Sequence, residues 1–369
     1  MQRQLDTVDM TLNMGPQHPS THGVFRMVLT VDGERIVAVE PYIGYLHRGI
    51  EKLSETLNYR QVITLMDRAD YLANFNNELT YVMAVEKLMR IEVPERAEYI
   101  RVILCELNRI ASHLMFYGAM GSDAGVFGTA FMYAFQAREK IVAAFESVSG
   151  ARMMHNFFRV GGVRDDLPRD FGPIMARLIP QLRQSIEDCH NLLGHNEVFI
   201  ARSKGIGTIG PQEAIDYGLS GPALRACGVA EDLRRSDPYS IYPKLDFRIP
   251  VGKDGDCYDR YLLRVEEMRQ SLYMVEQALE IIPPGPVMAQ VPKVLKPPPG
   301  EVYVRTENPR GDLGIYLVSQ GGDKPYRVKV RAPSFCNLMA LEHLLRDCYI
   351  ADCVMVLGSL DIVLGEVDR

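Results

Sequence analysis

The sequence has neither a run of basic residues nor a long apolar run. Basic residues are scattered, with 41 Lys and Arg against 47 Asp and Glu and a net charge of −6, whereas a nucleic-acid-binding protein needs a concentrated positive patch. No apolar stretch approaches the roughly 18 uncharged residues that cross a bilayer, and Arg3, Asp6 and Asp9 argue against a signal peptide. We therefore expect no nucleic-acid partner, and membrane contact only peripherally or through another protein.

Paired cysteines are also missing. The seven cysteines are widely spread, and no two of them stand as C-x-x-C. This pattern argues against a disulfide framework, a zinc ribbon or an iron–sulfur cluster held by this chain alone. The chain is expected to hold no metal and to work in a reducing, cytoplasmic compartment.

The chain is long enough for two or three packed units, since it has 369 residues, 47% of them hydrophobic, and a domain takes about 100–200 residues. Changes in apolar spacing and in proline content predict an α+β protein of four segments. These are an N-terminal β unit (1–50), a helical core (51–282), a proline-rich connector (283–300) and a C-terminal α/β segment (301–369).

Local patterns support these segments. Residues 24–40 alternate apolar and polar side chains around Asp32-Gly33, a strong hairpin signal. Helical spacing predicts buried helices opening at Pro94, through 131–145, and over 257–282. Strands are expected at 302–305 and 326–331, with a short helix near 338–346 and an apolar end at 353–365.

The most unusual local sequence is GPQHPSTHG at 15–23, which contains His18 and His22. Pro19 and the flanking glycines favour a loop, so the two imidazoles do not share a helix face as a helical zinc site requires. A histidine in a loop that faces a cavity can exchange a proton, because its ordinary pKa is about 6.5. The alternative is that both histidines only hydrogen-bond within their own loop.

A glycine-rich segment at 205–210 matches G-x-G-x-x-G, with acidic residues about 20 positions further on. The segment that follows is much shorter than the crossover of about 10–12 residues that a dinucleotide fold requires. We therefore expect a turn packed closely under another element, with nucleotide binding as the alternative. No nucleophile elbow appears, so acyl transfer has no support.

Three further positions have both a plain and a functional interpretation. Residues 67–71 read as an exposed ionisable cluster in a helical pattern, and the Tyr71 hydroxyl is a proton donor only if it faces an enclosed polar site. Asp123 is either a helix cap, which we favour, or a buried carboxylate. Arg48 is either part of a surface ion pair or a fixed positive charge beside an electron carrier.

Six sequence blocks together resemble one family along nearly the whole chain, the hydrogenase-like quinone-site subunit of respiratory complex I and of its photosynthetic counterparts. The blocks are MGPQHPSTHGV (14–24), GYLHRGIEKL (44–53), DRADYL (67–72), RMMHNFFRVGGV (152–163), GLSGPALRACG (218–228) and GSLDIVLGEVDR (358–369). The resemblance implies the fold of the nickel–iron hydrogenase large subunit, with a central helical bundle and small terminal β units.

Hydrogenase ligands are absent from the matching positions. Arg68 and Tyr71 stand where the family's N-terminal cysteine pair would fall, and Val363 and Glu366 where the C-terminal pair would fall. None of these residues supplies a thiolate to nickel, so we expect no hydrogen chemistry.

The resemblance implies instead that the vacated pocket admits a quinone as substrate. It assigns the hydrogen bonds to the two quinone carbonyls to His22 and Tyr71, and places Asp123 as the carboxylate partner of that histidine. His18 matches the first loop histidine of the same cavity. Donors at both ends of the ring stabilise the reduced product and can deliver protons.

The resemblance also implies an iron–sulfur cluster held by a neighbouring subunit. Arg48 matches an arginine beside that cluster, where a positive charge raises the reduction potential. Many members have histidine at the position of Met154, and here His155 stands next to it. We expect a cluster potential that is lower or depends less on pH.

We interpret the chain as a peripheral-arm subunit of a proton-translocating NADH (or ferredoxin):quinone oxidoreductase, a translocase that is inactive as an isolated subunit. The expected partners are the iron–sulfur subunit, other peripheral-arm subunits and membrane-arm subunits, on the cytoplasmic side of the cell membrane. Alternatives are a non-catalytic scaffold, a related membrane-bound hydrogenase-type complex, and a soluble dehydrogenase resting on residues 205–210.

Overall fold

The computed structural model describes residues 9–18, 23–126 and 128–369. The strands are β1 (Met10–Met14), β2 (Gln17–His18), β3 (Gly23–Val24), β4 (Arg26–Asp32), β5 (Arg35–Tyr42), β6 (Phe158–Arg159), β7 (Gly162–Val163), β8 (Gly300–Asn308), β9 (Gly311–Ser319) and β10 (Arg327–Arg331). The helices are α1 (Ile50–Ser54), α2 (Tyr59–Met66), α3 (Asn74–Met89), α4 (Glu95–Asp123), α5 (Thr129–Ser149), α6 (Phe171–Leu193), α7 (Glu197–Ser203), α8 (Pro211–Asp216), α9 (Gly221–Arg225), α10 (Leu233–Ser236), α11 (Cys257–Ile281), α12 (Pro333–Leu338), α13 (Leu341–Leu345), α14 (Cys353–Leu360) and α15 (Leu364–Asp368). The α+β class is therefore confirmed.

An antiparallel sheet of order β1-β4-β5 occupies the N-terminal part. The alternating residues of β4 and the position before it, Phe25, Met27, Leu29 and Val31, have no exposed surface. The strands β4 and β5 join through a tight turn at Gly33, which adopts a positive φ of 63° that glycine takes without strain. The predicted hairpin is confirmed, with one face on the core.

Long helices form the centre of the molecule. The helix α4 begins directly after Pro94 and packs against α5 and α11, and all three correspond to helices expected from apolar spacing. Buried residues surround α4 on every side, as expected for a helix at the centre of a bundle. They include the polar side chains of Arg101, Glu106, Arg109 and His113.

Several helices, among them α2, α3 and α6, did not stand out in the sequence. The helix α3 buries polar residues, among them Asn76, Asn77 and Thr80, which interrupt the apolar stripe that marks an amphipathic helix. The helix α6 continues through Pro180, whose ring lies on its exposed side. The helix α2 is only eight residues long, and Asn58 caps its N-terminus.

A second antiparallel sheet has the order β10-β9-β8, and α3 packs against it. The outer strands correspond to the two strands expected from sequence, but the central strand was missed. Most β9 side chains are buried on both faces, so the period-two alternation that marks a half-buried strand is absent. Gly314 in its middle also weakens the signal, because the Tyr303 ring fills the space of a side chain there.

The glycine-rich segment at 205–210 is a closely packed turn, as expected. A Cβ on Gly207 would lie 2.8 Å from Val356 Cγ2 and 3.1 Å from Arg260 Nη2, so backbone and neighbouring side chains nearly touch. The following helix, α8, has six residues, and every strand pairing of the described residues is antiparallel. The parallel βαβ unit of a dinucleotide fold is therefore not formed by this segment.

Residues 283–299, all described, contain no helix and no strand beyond a single bridge between Met288 and Gly162. This agrees with proline's inability to continue a helix. The four-segment division itself stays a prediction. In the part of the chain that the structure describes, we find no helix long and apolar enough to span a bilayer.

Close backbone packing between α9 and β9 leads to a stability prediction. A Cβ on Gly221 would lie 2.4 Å from the Cα of Gly311, whereas one on Gly218 meets nothing within 4 Å, and both glycines have a positive φ. Gly218→Ala should therefore cost only backbone strain, about 1–2 kcal/mol. Gly221→Ala should cost about 1–3 kcal/mol more because backbone must move. Thermal unfolding of the two variants side by side tests this, and equal melting temperatures would contradict it.

Candidate functional site

The turn at 67–73 links α2 to α3 and is mostly buried, although the Arg68 side chain is exposed. Asp67 and Asp70 have no exposed surface, so the expectation that residues 67–71 form an exposed cluster within a helix is wrong. The backbone leaves the helix after Met66 and resumes at Asn74. Buried carboxylates need donors, and here segments distant in sequence supply them.

Asp70 forms an ion pair with Arg310, which stands between β8 and β9. Arg310 Nη1 lies 2.8 Å from Asp70 Oδ2 and 3.0 Å from Ser112 Oγ, while the backbone N–H of Leu72 donates to Asp70 Oδ1 at 3.0 Å. Both charged residues are fully buried. Burial raises the pKa of Asp70, and Arg310 opposes that shift. The pair therefore fixes the turn against the second sheet.

Asp67 lies close enough to another buried carboxyl group, that of Glu78 in α3, for each to act on the pKa of the other. The backbone N–H groups of Asn156, Phe157 and Phe158 donate to the two side chains. Burial raises the pKa of Glu78 well above its usual range, and the neighbouring Asp67 raises it further. Two buried carboxyls this close together cannot both ionise, so the pair holds a proton and anchors the segment that begins at Met154.

Met154 and His155 face different surroundings. Met154 has a positive φ of 56°, and its Sδ lies 3.5 Å from Nδ2 of Asn74, which also donates to the Asp67 carbonyl. The His155 ring is 3% exposed and stacks on Phe75 with 4.1 Å between centroids. Burial lowers the pKa of His155 to about 4. At neutral pH His155 is therefore a neutral core residue.

Tyr71 and Arg48 meet at Gly365. Arg48 donates to the carbonyls of Arg68 at 2.7 Å and Gly365 at 2.6 Å. A Cβ on Gly365 would lie 3.1 Å from Tyr71 Cε1 and 3.2 Å from Arg48 Nη2, so the ring and the guanidinium border the same point. Both Arg48 bonds go to neutral carbonyl groups, which orient the guanidinium without neutralising its charge.

Tyr71 itself is partly buried. Burial raises the pKa of its hydroxyl above the ordinary value of about 10, and the charge of Asp70 raises it further, while Arg310 and Arg48 act in the opposite direction. The hydroxyl is therefore protonated at neutral pH and able to donate a hydrogen bond. A substrate oxygen that gains negative charge would accept it.

The remaining predicted site residues stand in different positions. Asp123 is the last residue of α4 and is partly exposed, and its role as a helix cap or as a buried carboxylate stays a prediction. Its carbonyl accepts a hydrogen bond from Arg202 at 2.7 Å. The backbone of His18 pairs with Gly23 between β2 and β3. His22 lies outside the described residues.

Sequence reasoning missed two residues of this site. Arg310 is 240 positions from Asp70, and Glu78 lies in a helix whose polar burial hid it. No spacing pattern connects residues so far apart. Glu366 was noticed only for the cysteine that it replaces, not for its own carboxyl group.

Comparisons with known proteins agree with the family resemblance. Residues 123–298 and 290–369 match the model of the family described as the 49 kDa subunit of respiratory-chain NADH dehydrogenase. Proteins named as a subunit of NADH-quinone oxidoreductase are similar over the whole length. That of Clostridium beijerinckii is 51% identical, covering 100% of this chain and 99% of the relative. Those of Carboxydothermus hydrogenoformans (51%) and Dehalococcoides mccartyi (52%) cover 99% of this chain and 100% of each relative.

The buried Asp70–Arg310 pair leads to a second stability prediction. Arg310→Met leaves buried carboxylates without a counter-charge and should lower the free energy of unfolding by about 3–5 kcal/mol. Arg327→Met removes a half-exposed arginine that pairs with Glu51 and Glu55, and should cost about 0–1 kcal/mol. Chemical denaturation of both variants measures the difference. Similar losses would show that the interior pair does not hold the turn.

Proposed function

The chain belongs to the family of the 49 kDa subunit of respiratory-chain NADH dehydrogenase, as its sequence blocks indicated, and we propose that it forms the quinone-reduction cavity of an NADH-quinone oxidoreductase. The single observation that carries the proposal is the meeting of the Tyr71 ring and the Arg48 guanidinium at Gly365, with burial and Asp70 raising the pKa of the Tyr71 hydroxyl. In this proposal the subunit is peripheral, on the cytoplasmic side of the membrane, and inactive in isolation.

The chemistry at this site is proton donation to a quinone oxygen. Reduction of a quinone by two electrons places negative charge on oxygens at opposite ends of the ring, and a fixed donor at each end stabilises the product. Tyr71 is the donor for one oxygen. Following the resemblance, we assign the other oxygen to His22, with Asp123 orienting that imidazole and His18 lining the same cavity.

In this proposal an iron–sulfur cluster held by the neighbouring subunit would supply the electrons. Arg48 is suited to a position beside that cluster, because its guanidinium is exposed on one side and bonded only to carbonyl groups. Its charge favours the reduced form of a nearby electron carrier. No cofactor is covalently bound to this chain in the proposal, and other peripheral-arm and membrane-arm subunits complete a proton-translocating complex.

The proposed ancestry is that of the nickel–iron hydrogenase large subunit. This proposal is supported because two segments distant in sequence meet at the positions that the resemblance matches to the two cysteine pairs. Gly365, next to Glu366, lies against both Tyr71 and the Ala69 carbonyl. In this proposal an aromatic ring and a carboxyl group replace two of the thiolates of a nickel site, which favours quinone reduction over hydrogen chemistry.

Substituting the proposed donor tests the function directly. Tyr71→Phe removes one hydroxyl and little else, and quinone reduction by membranes carrying the variant should fall at least tenfold. A native gel checks assembly, and electron paramagnetic resonance checks the cluster. Tyr303→Phe, an exposed tyrosine of β8, is the matched control. Undiminished activity of Tyr71→Phe in an assembled complex would favour a non-catalytic scaffold.

The residue at position 154 should set the pH dependence of the neighbouring cluster's potential. Met154 carries no proton and His155 is neutral in the core, so the potential should be nearly independent of pH in the native complex. Met154→His should introduce a pH-dependent potential, and histidine tolerates the positive φ at this position better than most residues. Redox titration at several pH values measures both, and an ordinary slope in the native complex would refute the assignment.

A further inference from the structure

The loop that carries Arg48 joins β5 to α1 and lies at the surface. Within residues 43–48 only Leu46 is partly buried, and the other residues, Arg48 among them, are exposed. Apolar packing therefore does little to fix the path of this backbone. The position of Arg48 depends instead on the hydrogen bonds that tie residues 44–48 to the rest of the molecule.

Asp368, in α15, accepts three of these hydrogen bonds. Its Oδ1 accepts from the backbone N–H of Gly44 at 2.8 Å, and its Oδ2 accepts from the backbone N–H of Leu46 at 2.7 Å. Its carbonyl oxygen lies 2.6 Å from His47 Nδ1, and since a carbonyl only accepts, that ring nitrogen donates. Hydrogen bonds to a carboxylate are shorter and stronger than those between neutral groups. One residue thus holds the loop at three points.

Asp368 is itself held firmly, because α15 is buried against α12. Asp368 is 7% exposed and Val367 is 1% exposed. The guanidinium of Arg369 donates to the Val330 carbonyl of β10 at 3.2 Å and lies 4.8 Å from the centroid of the Phe335 ring. The Asp368 carboxylate is therefore a fixed point from which the exposed loop is held.

The remaining hydrogen bonds of the loop belong to Arg48. Its backbone N–H donates to the carbonyl of Arg369 at 3.3 Å, directly beside Asp368, and its guanidinium donates to the carbonyls of Arg68 and Gly365. Among the described residues, every hydrogen bond that ties 44–48 to another element ends on α15, Arg369 or Arg68. The two guanidinium bonds orient the charge, whereas the Asp368 bonds place the backbone that carries it.

We propose that Asp368 is a positioning residue for Arg48, and that its carboxylate fixes the 44–48 loop so that the guanidinium keeps its place beside the neighbouring electron carrier. The inference rests on the proposed function, in which Arg48 stands beside the partner's iron–sulfur cluster, and extends it. The attraction between a positive charge and the reduced carrier weakens with distance. A loop released from Asp368 lets Arg48 move away, and the reduction potential of the cluster falls.

The sign of the change in potential separates positioning from a direct effect of the Asp368 charge. Asp368→Asn and Asp368→Ala remove the same negative charge, and that loss alone raises the cluster potential equally in both variants. Loss of positioning lowers the potential, and more so in Asp368→Ala, because the asparagine oxygen still accepts one of the two backbone hydrogen bonds.

Redox titration of the assembled complexes, followed by electron paramagnetic resonance, measures this potential. We expect a fall in both variants. At the native midpoint, the ratio of oxidised to reduced cluster in Asp368→Ala should rise at least about threefold. Asp347→Asn, at an exposed aspartate after α13 whose positive φ of 63° asparagine tolerates, is the matched control and should keep the native potential.

Amide hydrogen exchange gives a second readout that does not involve the cluster. In the native complex the amides of Gly44 and Leu46 should exchange at least about tenfold more slowly than the amide of Tyr45, which lies between them and donates no hydrogen bond among the described residues. Asp368→Ala should remove this difference. The comparison within the native loop needs no variant, so it decides the matter if Asp368→Ala does not assemble.

Arg48→Met separates this inference from the function on which it rests. The proposed function requires a lower cluster potential in this variant, because the positive charge is gone. A lower potential in Arg48→Met, combined with a native or raised potential in both Asp368 variants, would overturn the positioning role alone. A native potential in Arg48→Met would overturn the place of Arg48 beside the cluster as well. Equal exchange of the three loop amides in the native complex would also count against Asp368.

Discussion

The ion pair between Asp70 and Arg310 is the constraint on which the candidate site depends. A turn full of polar groups lies in the interior, and each of its charges is tolerated only because another segment supplies a partner. Arg310 brings the second sheet to the turn, the backbone of 156–158 comes to Asp67 and Glu78, and Arg48 ties the turn to the C-terminal segment through carbonyl groups. The need to give each buried polar group a partner, more than apolar packing, determines where these segments cross.

The same rule operates deeper in the helical bundle. Arg109 and Arg234 share Glu106, and Arg225 bridges Glu267 and Glu307, all of them essentially without exposed surface. His113 also binds Glu267, at 2.8 Å. Such pairs are costly to break but contribute modestly compared with apolar packing of the same volume. These pairs fix how the packed elements align with one another, since each buried charge needs its particular partner.

Elements whose apolar residues keep a regular period could be predicted from sequence, and elements whose period is interrupted could not. The spacing of apolar residues and the turn residues predicted the hairpin of β4 and β5 and the helices α4, α5 and α11. The strand β9 was lost because both of its faces are buried, and α3 because its buried face is polar. Within the site, the block around Tyr71 and Arg48 was recognised by resemblance, and the structure brings both residues to Gly365. The prediction that residues 67–71 are exposed was wrong because their ionic partner, Arg310, is distant in sequence. A local sequence pattern does not reveal such a partner.

The segment that closes the site is synthesised long after the turn at 67–73. Asp361, Gly365 and Glu366 contact Arg310, Arg48 and Ser334, whereas the turn at 67–73 leaves the ribosome nearly 300 residues earlier. Until the C-terminal segment arrives, that turn carries acidic groups with incomplete partners. Folding of the nascent chain therefore passes through a stage in which the most polar part of the core is open to solvent. Chains released by translational arrest before residue 361 should therefore be recognised by quality-control proteases through this region.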